Sequence, residues 1–190
     1  MVKVIYGFFL FCSFLWQGTY AQSLQFFGEK IEVTIHEKYA EVNGNYHLRN
    51  NSLQPIRRTL FYPFTINQNL PYPDSISVTL NKASIPFQRK NDGIIFSMEI
   101  APDSIEVYEV YYSQKTPANE MEYILTSTQR WQKPLRFAEY IIKLPQQLLL
   151  KYLSLNLSEM AVDGEYEIYR VFRNDYMPKT NLIVEWTRRK

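Results

Sequence analysis

Apolar and polar residues alternate with a period of two along nearly the whole chain, which restricts it to sheets buried on one face. In "KIEVTIH", Ile31, Val33 and Ile35 alternate with Lys30, Glu32, Thr34 and His36. In "YAEVNGNYHL", Ala40, Val42, Gly44, Tyr46 and Leu48 alternate with Glu41, Asn43, Asn45 and His47. A tight turn at Glu37-Lys38 pairs Ile35 with Ala40 and Val33 with Val42, so both apolar sets land on one face.

The pattern continues through "RRTLFYPF" (57–64), where Pro63 suits a strand end or an edge. It recurs in "SISVTLN" (75–81), "IIFSMEI" (94–100) and "IEVYEVYY" (105–112). In the last of these the apolar phase shifts, which predicts a β-bulge near Tyr108. "YILTST", "FAEYIIKL", "YLSLNLS", "EYEIYRVFR" and "LIVEW" follow as strands. "PQQLLLKYL" reads as a single helical turn, since Leu149 and Leu153 are four apart. The sum is about eleven strands and no long helix, which predicts an all-β, antiparallel β-sandwich with a second, smaller β subdomain. The polar segment "QKTPANE" (114–120) is the linker, dividing residues 22–115 from residues 119–190.

Residues 1–21 stand apart from this pattern. Lys3 precedes an apolar run of 13 residues, Val4 to Trp16, and "QGTYA" ends in the small Ala21. This is the layout of a secretory signal peptide cut between Ala21 and Gln22. The run is shorter than the ~20 residues a spanning helix needs, and no other stretch is apolar enough to cross a membrane as a helix. The expected location is therefore periplasmic, cell-surface or secreted. The single cysteine, Cys12, lies in the leader, so the mature chain relies on its core for stability and not on disulfides. Lys plus Arg number 21 against 19 Asp plus Glu, with no basic stripe, which excludes a nucleic-acid footprint.

The stretch "VTIHEKYAEVNGNYHLRNNSLQPIRRTLFYPF" carries a "YAEV" strand, then Y-x-x-x-N-x-S-x-x-P, then a run ending in "YPF". This order resembles the opening of VIT-like extracellular β-sandwich domains. "YILTSTQRW-x-x-P…IIKLP" with the final "NLIVEW" is similar to exported bacterial domains of unknown function that join a Tyr-Leu-Thr strand to a Trp-x-x-Pro corner. The resemblance implies a β-sandwich and carries over no catalytic residue.

His36 and His47 sit on the polar face of the first hairpin. His47 is eight residues from Tyr39, the turn partner of His36, or roughly 26 Å along a strand, too far to share a metal. No G-x-S-x-G elbow occurs. The pairs Glu106/Glu109 and Glu165/Glu167 have the spacing of solvated strand faces. No catalytic residue, metal site or cofactor is expected. The remaining lead is aromatic: Trp131, between Arg130 and Arg136, either plugs the sandwich or offers a stacking platform. The chain reads first as a non-catalytic envelope protein, a structural or protein-interaction module with an unknown envelope partner. A carbohydrate-binding module, with a glycan on its exposed Tyr and Trp, is the alternative. A hydrolase ranks third.

Overall fold

The computed structural model describes residues 23–189. The expected leader and its Ala21–Gln22 cleavage point lie outside the described residues. The described residues are all-β: they form fourteen strands and one short 3-10 helix, Thr126–Trp131. The strands in chain order are β1 (Leu24–Ile35), β2 (Tyr39–Asn50), β3 (Ile56–Pro63), β4 (Ser75–Leu80), β5 (Ala83–Ser84), β6 (Phe87–Lys90) and β7 (Gly93–Ile100). They continue as β8 (Ser104–Lys115), β9 (Glu120–Tyr123), β10 (Leu135–Pro145), β11 (Leu148–Leu153), β12 (Glu159–Asp163), β13 (Tyr166–Tyr176) and β14 (Leu182–Arg188).

Eight strands form one long sheet in the order β12-β13-β10-β1-β2-β8-β4-β5. Two three-stranded sheets, β3-β7-β6 and β11-β14-β9, complete the fold, and the buried faces of all three join in one hydrophobic core. The β1–β2 hairpin has the expected register, with Ile35 opposite Ala40 and Val33 opposite Val42. Its inward residues are fully buried, and its outward residues carry polar groups. On that outer face Lys143 pairs with Glu32 at 2.6 Å and Lys30 with Glu139 at 3.2 Å. The ladder between β1 and β10 is parallel and runs from Gly28 opposite Phe137 to Thr34 opposite Lys143. It therefore ties the segment after residue 119 directly to the first strand.

Three local expectations are corrected. β8 pairs with β2 without a break from Ser104 to Lys115, so there is no bulge at Tyr108. The phase shift there marks apolar residues on the outer face: Ile105 is exposed and Val107 half-buried, while Tyr108, Val110 and Tyr112 point inward. "PQQLLLKYL" is not helical, because Gln146-Gln147 turn the chain directly from β10 into β11, which pairs with β14. "YILTST" is strand only to Tyr123. Beyond it, Asn181 Oδ1 accepts from the backbone N–H groups of Leu125 and Thr126 and from the Thr126 hydroxyl. Those donors are lost to any ladder, and the chain closes into the 3-10 turn instead.

The register shift of the long sheet lies in β1. Phe26 is opposite Leu48 and Gly28 opposite His47, leaving Phe27 as the extra residue of a bulge. Before it Leu24 and Phe26 face the core; after it Glu29, Ile31, Val33 and Ile35 do. Glycine is favoured there by contact, since a Cβ at Gly28 would lie 2.3 Å from the Phe137 ring, which would have to shift.

Candidate binding site

The bulge places a carboxylate in the core. Glu29 is 2% exposed and lies opposite Tyr46 on β2 and Ala138 on β10. Its Oε1 accepts a 2.7 Å hydrogen bond from the Tyr140 hydroxyl, itself fully buried. Burial pushes the Glu29 carboxyl from 4.5 up to about 7, and the Tyr140 bond offsets part of that rise.

Around Glu29 three strands contribute tyrosines. The hydroxyls of Tyr46 (β2), Tyr62 (β3) and Tyr123 (β9) meet, with Tyr46 2.7 Å from Tyr62 and 2.6 Å from Tyr123. Tyr62 donates to Tyr123 at 3.3 Å. Each phenol has one proton, so Tyr123 then donates to Tyr46 and Tyr46 to Tyr62, closing a ring. The Tyr46 ring stacks on Tyr108 at 4.8 Å and 21°. Its hydroxyl lies above Gly44, where a Cβ would come within 2.0 Å. Glycine at that position makes room for the phenol. Burial holds all four phenols above their ordinary range, so they are neutral at physiological pH.

These groups line a cavity of about 360 Å³ between the long sheet and β3-β7-β6. Eight aromatic side chains form its walls, with Glu29 in the interior. The 3-10 helix closes one side with Thr126, Ser127, Arg130 and Trp131. Residues 127 and 130 are one 3-10 turn apart and so share a face. Asp92 stands on the other side, at the turn into β7.

Of the three residues singled out from the sequence, two meet here. Trp131 is half-buried, with its ring 5.8 Å from that of Phe26, and it lines the cavity beside the exposed Arg130. Arg136 does not: it pairs with Asp175 at 2.6 Å on the outer edge of the β10–β13 ladder, both side chains largely solvated. The histidines are separate as well. His36 stacks on Tyr39 at 4.3 Å, and His47 packs edge-on against Phe137 at 5.0 Å, on the face opposite the cavity. Glu167 is occupied by Tyr169 and Arg189. Among the described residues no group of three or more His, Cys, Asp or Glu could hold a metal.

Glu29 and the tyrosine ring escaped sequence reasoning. One signal was present: the alternation Ile31-Val33-Ile35, extended back by two, points Glu29 inward.

No family model matches the chain, and no curated protein matches it. Solved structures share its fold. It is similar to a "putative nutrient binding protein" from Legionella pneumophila subsp. pneumophila, at 15% identity and a TM-score of 0.68, over 86% of this chain and 67% of that one. It is also similar to an M1 zinc metallopeptidase from Deinococcus radiodurans, at 10% identity and a TM-score of 0.54, over 86% of this chain and 42% of the peptidase. The chain spans less than half the length of that peptidase. At these identities the likeness is one of fold, an all-β architecture.

Proposed function

We propose that the chain is a non-catalytic binding module of an exported protein, and that its ligand is a small molecule held in the Glu29–tyrosine cavity. The observation that carries this reading is the cavity itself. A void of about 360 Å³, walled by aromatic rings and holding one buried carboxyl, has the size and composition of a small-molecule site. The fold likeness to the Legionella protein described for nutrient binding is in keeping with it.

The test is a ligand screen on residues 22–190, with amino acids, amines, polyols and mono- and oligosaccharides. Binding is read from thermal shift and from the Trp131 indole N–H resonance. At least one compound should raise the melting temperature and move that resonance, and Trp131→Ala should weaken its binding. Compounds that bind without moving Trp131, or a screen with no hit, would remove the reading. A hit confined to saccharides would select the glycan-binding form of it.

A further inference from the structure

Resting on the cavity reading above, we infer that the occupant is a small organic ammonium compound, its cationic head seated against Glu29 and the faces of the surrounding tyrosines. The hydrogen-bond inventory of the interior leads there. In the Tyr62→Tyr123→Tyr46→Tyr62 ring every hydroxyl proton is spent, so the three oxygens offer only lone pairs. Glu29 Oε1 is already met by Tyr140, and an ionised carboxylate also only accepts. At the floor, the three ring oxygens and Glu29 are thus acceptors, while the donors that line the cavity, from Tyr108, Ser127, Arg130 and Trp131, come from a wall and from the 3-10 helix. A sugar hydroxyl seated at that floor brings an acceptor as well as a donor, and that acceptor finds no partner among the ring oxygens or Glu29. An ammonium head brings positive charge or N–H donors and nothing else.

The walls agree with the floor. Aromatic faces attract a desolvated cation through the ring quadrupole, and Tyr46, Tyr108 and Trp131 are among the rings here. At the mouth Arg130 and Asp92 have opposite formal charge, so Glu29 supplies the charge of the interior.

The same geometry sets the pH response. The groups facing Glu29 are Tyr46 from β2, Tyr62 from β3, Tyr108 from β8, Tyr123 from β9, Tyr140 from β10 and Tyr176 from β13. All six are held above their ordinary phenol range. Arg173 lies beside Tyr140 and Tyr176, and Arg130 stands at the mouth. Asp92 is exposed at the mouth. Among the described groups facing the interior, Glu29 alone changes charge between about pH 5.5 and 8.

The experiment compares choline, its uncharged carbon isostere 3,3-dimethylbutan-1-ol, and glucose. Binding to residues 22–190 is measured by calorimetry and by the Trp131 indole resonance at about pH 5.5 and 8. Choline should bind about tenfold more tightly than the isostere at the higher pH, and about tenfold more tightly there than at the lower. The isostere should show no pH dependence, and Glu29→Gln should remove the choline preference. The isostere and pH comparisons use the unaltered chain, so they decide the matter even if Glu29→Gln fails to fold. Isostere binding equal to choline, or choline binding insensitive to pH, overturns the inference. If glucose or the isostere moves Trp131 and choline does not, the ammonium assignment fails while the cavity remains a binding site. If no compound moves Trp131, the ammonium assignment fails, and the broader screen decides the cavity reading separately.

Discussion

Tyr140 and Glu29 meet inside the core across a parallel strand pair, the β10 phenol donating to the β1 carboxylate at 2.7 Å. Both residues are buried. The hydrogen bond stabilises the ionised form of Glu29 and works against the larger effect of burial. Tyr140→Phe removes that donor at nearly constant volume. The Glu29 carboxyl should then titrate above the value of about 7 it has in the intact protein. The stability loss should be about 1 kcal/mol near pH 5 and about 2–3 kcal/mol near pH 8, where the orphaned group is charged. Carbon-detected NMR of the Glu29 side chain, with urea unfolding at both pH values, checks this. A Glu29 titration unmoved or lowered would contradict it.

Stability should fall as pH rises through the Glu29 titration. The folded-state carboxyl titrates near 7 and the unfolded one near 4.5, so between these values the native state holds more protons than the unfolded chain. This contribution is fully present below about pH 4.5 and is lost as pH passes about 7. At about 1.36 kcal/mol per pH unit, the interval from 4.5 to about 7 corresponds to about 3 kcal/mol. Glu29→Gln should flatten the curve of unfolding free energy over this window. An equal slope in both proteins would mean that the carboxyl is not the group responsible.

The bulge that turns Glu29 inward should be sensitive at Gly28. A methyl group there meets the Phe137 ring at 2.3 Å, so Gly28→Ala forces the ring or the strand to move, at about 1–3 kcal/mol. Phe137→Leu opens the space, and the double variant should recover part of the loss. A thermodynamic cycle giving additive effects would show that the Gly28–Phe137 approach is not what requires glycine.

How much of this was legible in the sequence follows from the range of each interaction. The β1–β2 register was readable because Ile35, Val33, Ala40 and Val42 sit within one hairpin and the period is local. The bulge was not. Leu24 and Phe26 fix one phase and Ile31 and Val33 the other, and only the paired strand shows that Phe27 absorbs the difference. Glu29 looked like one more polar position because Tyr140, which makes its burial tolerable, is 111 residues away. The tyrosine ring draws on β2, β3 and β9, a convergence set by sheet order. Trp131 and Arg130 were visible as residue types. Their shared cavity depends on the 3-10 turn, which Asn181 imposes from the β13–β14 loop.

Arg130 and Arg136 flank Trp131 in sequence and should separate in experiment. Arg136 forms an exposed ion pair with Asp175, of the kind that contributes at most about 1 kcal/mol. Arg136→Ala should leave both stability and occupancy of the cavity nearly unchanged. Trp131→Ala strips the cavity of one wall and its contact with Phe26. It should lower stability by about 1–3 kcal/mol, less than a fully buried tryptophan would. Thermal unfolding of the two variants beside the parent is sufficient, and a larger loss from Arg136→Ala would reverse the assignment.

The tyrosine ring should behave as a unit. Tyr123→Phe leaves the Tyr62 proton without its acceptor and the Tyr46 oxygen without its donor, in a largely buried site. The cost should be about 1–3 kcal/mol. Tyr62→Phe breaks the same ring at another point and should cost a similar amount. Once one hydroxyl is gone the directional ring is already open, so removing the second loses less. The double variant should fall short of the sum by at least about 0.5 kcal/mol. Urea unfolding of the two single variants and the double variant measures that shortfall. Strict additivity would mean that the three hydroxyls act independently, and that their protons are not committed to one another.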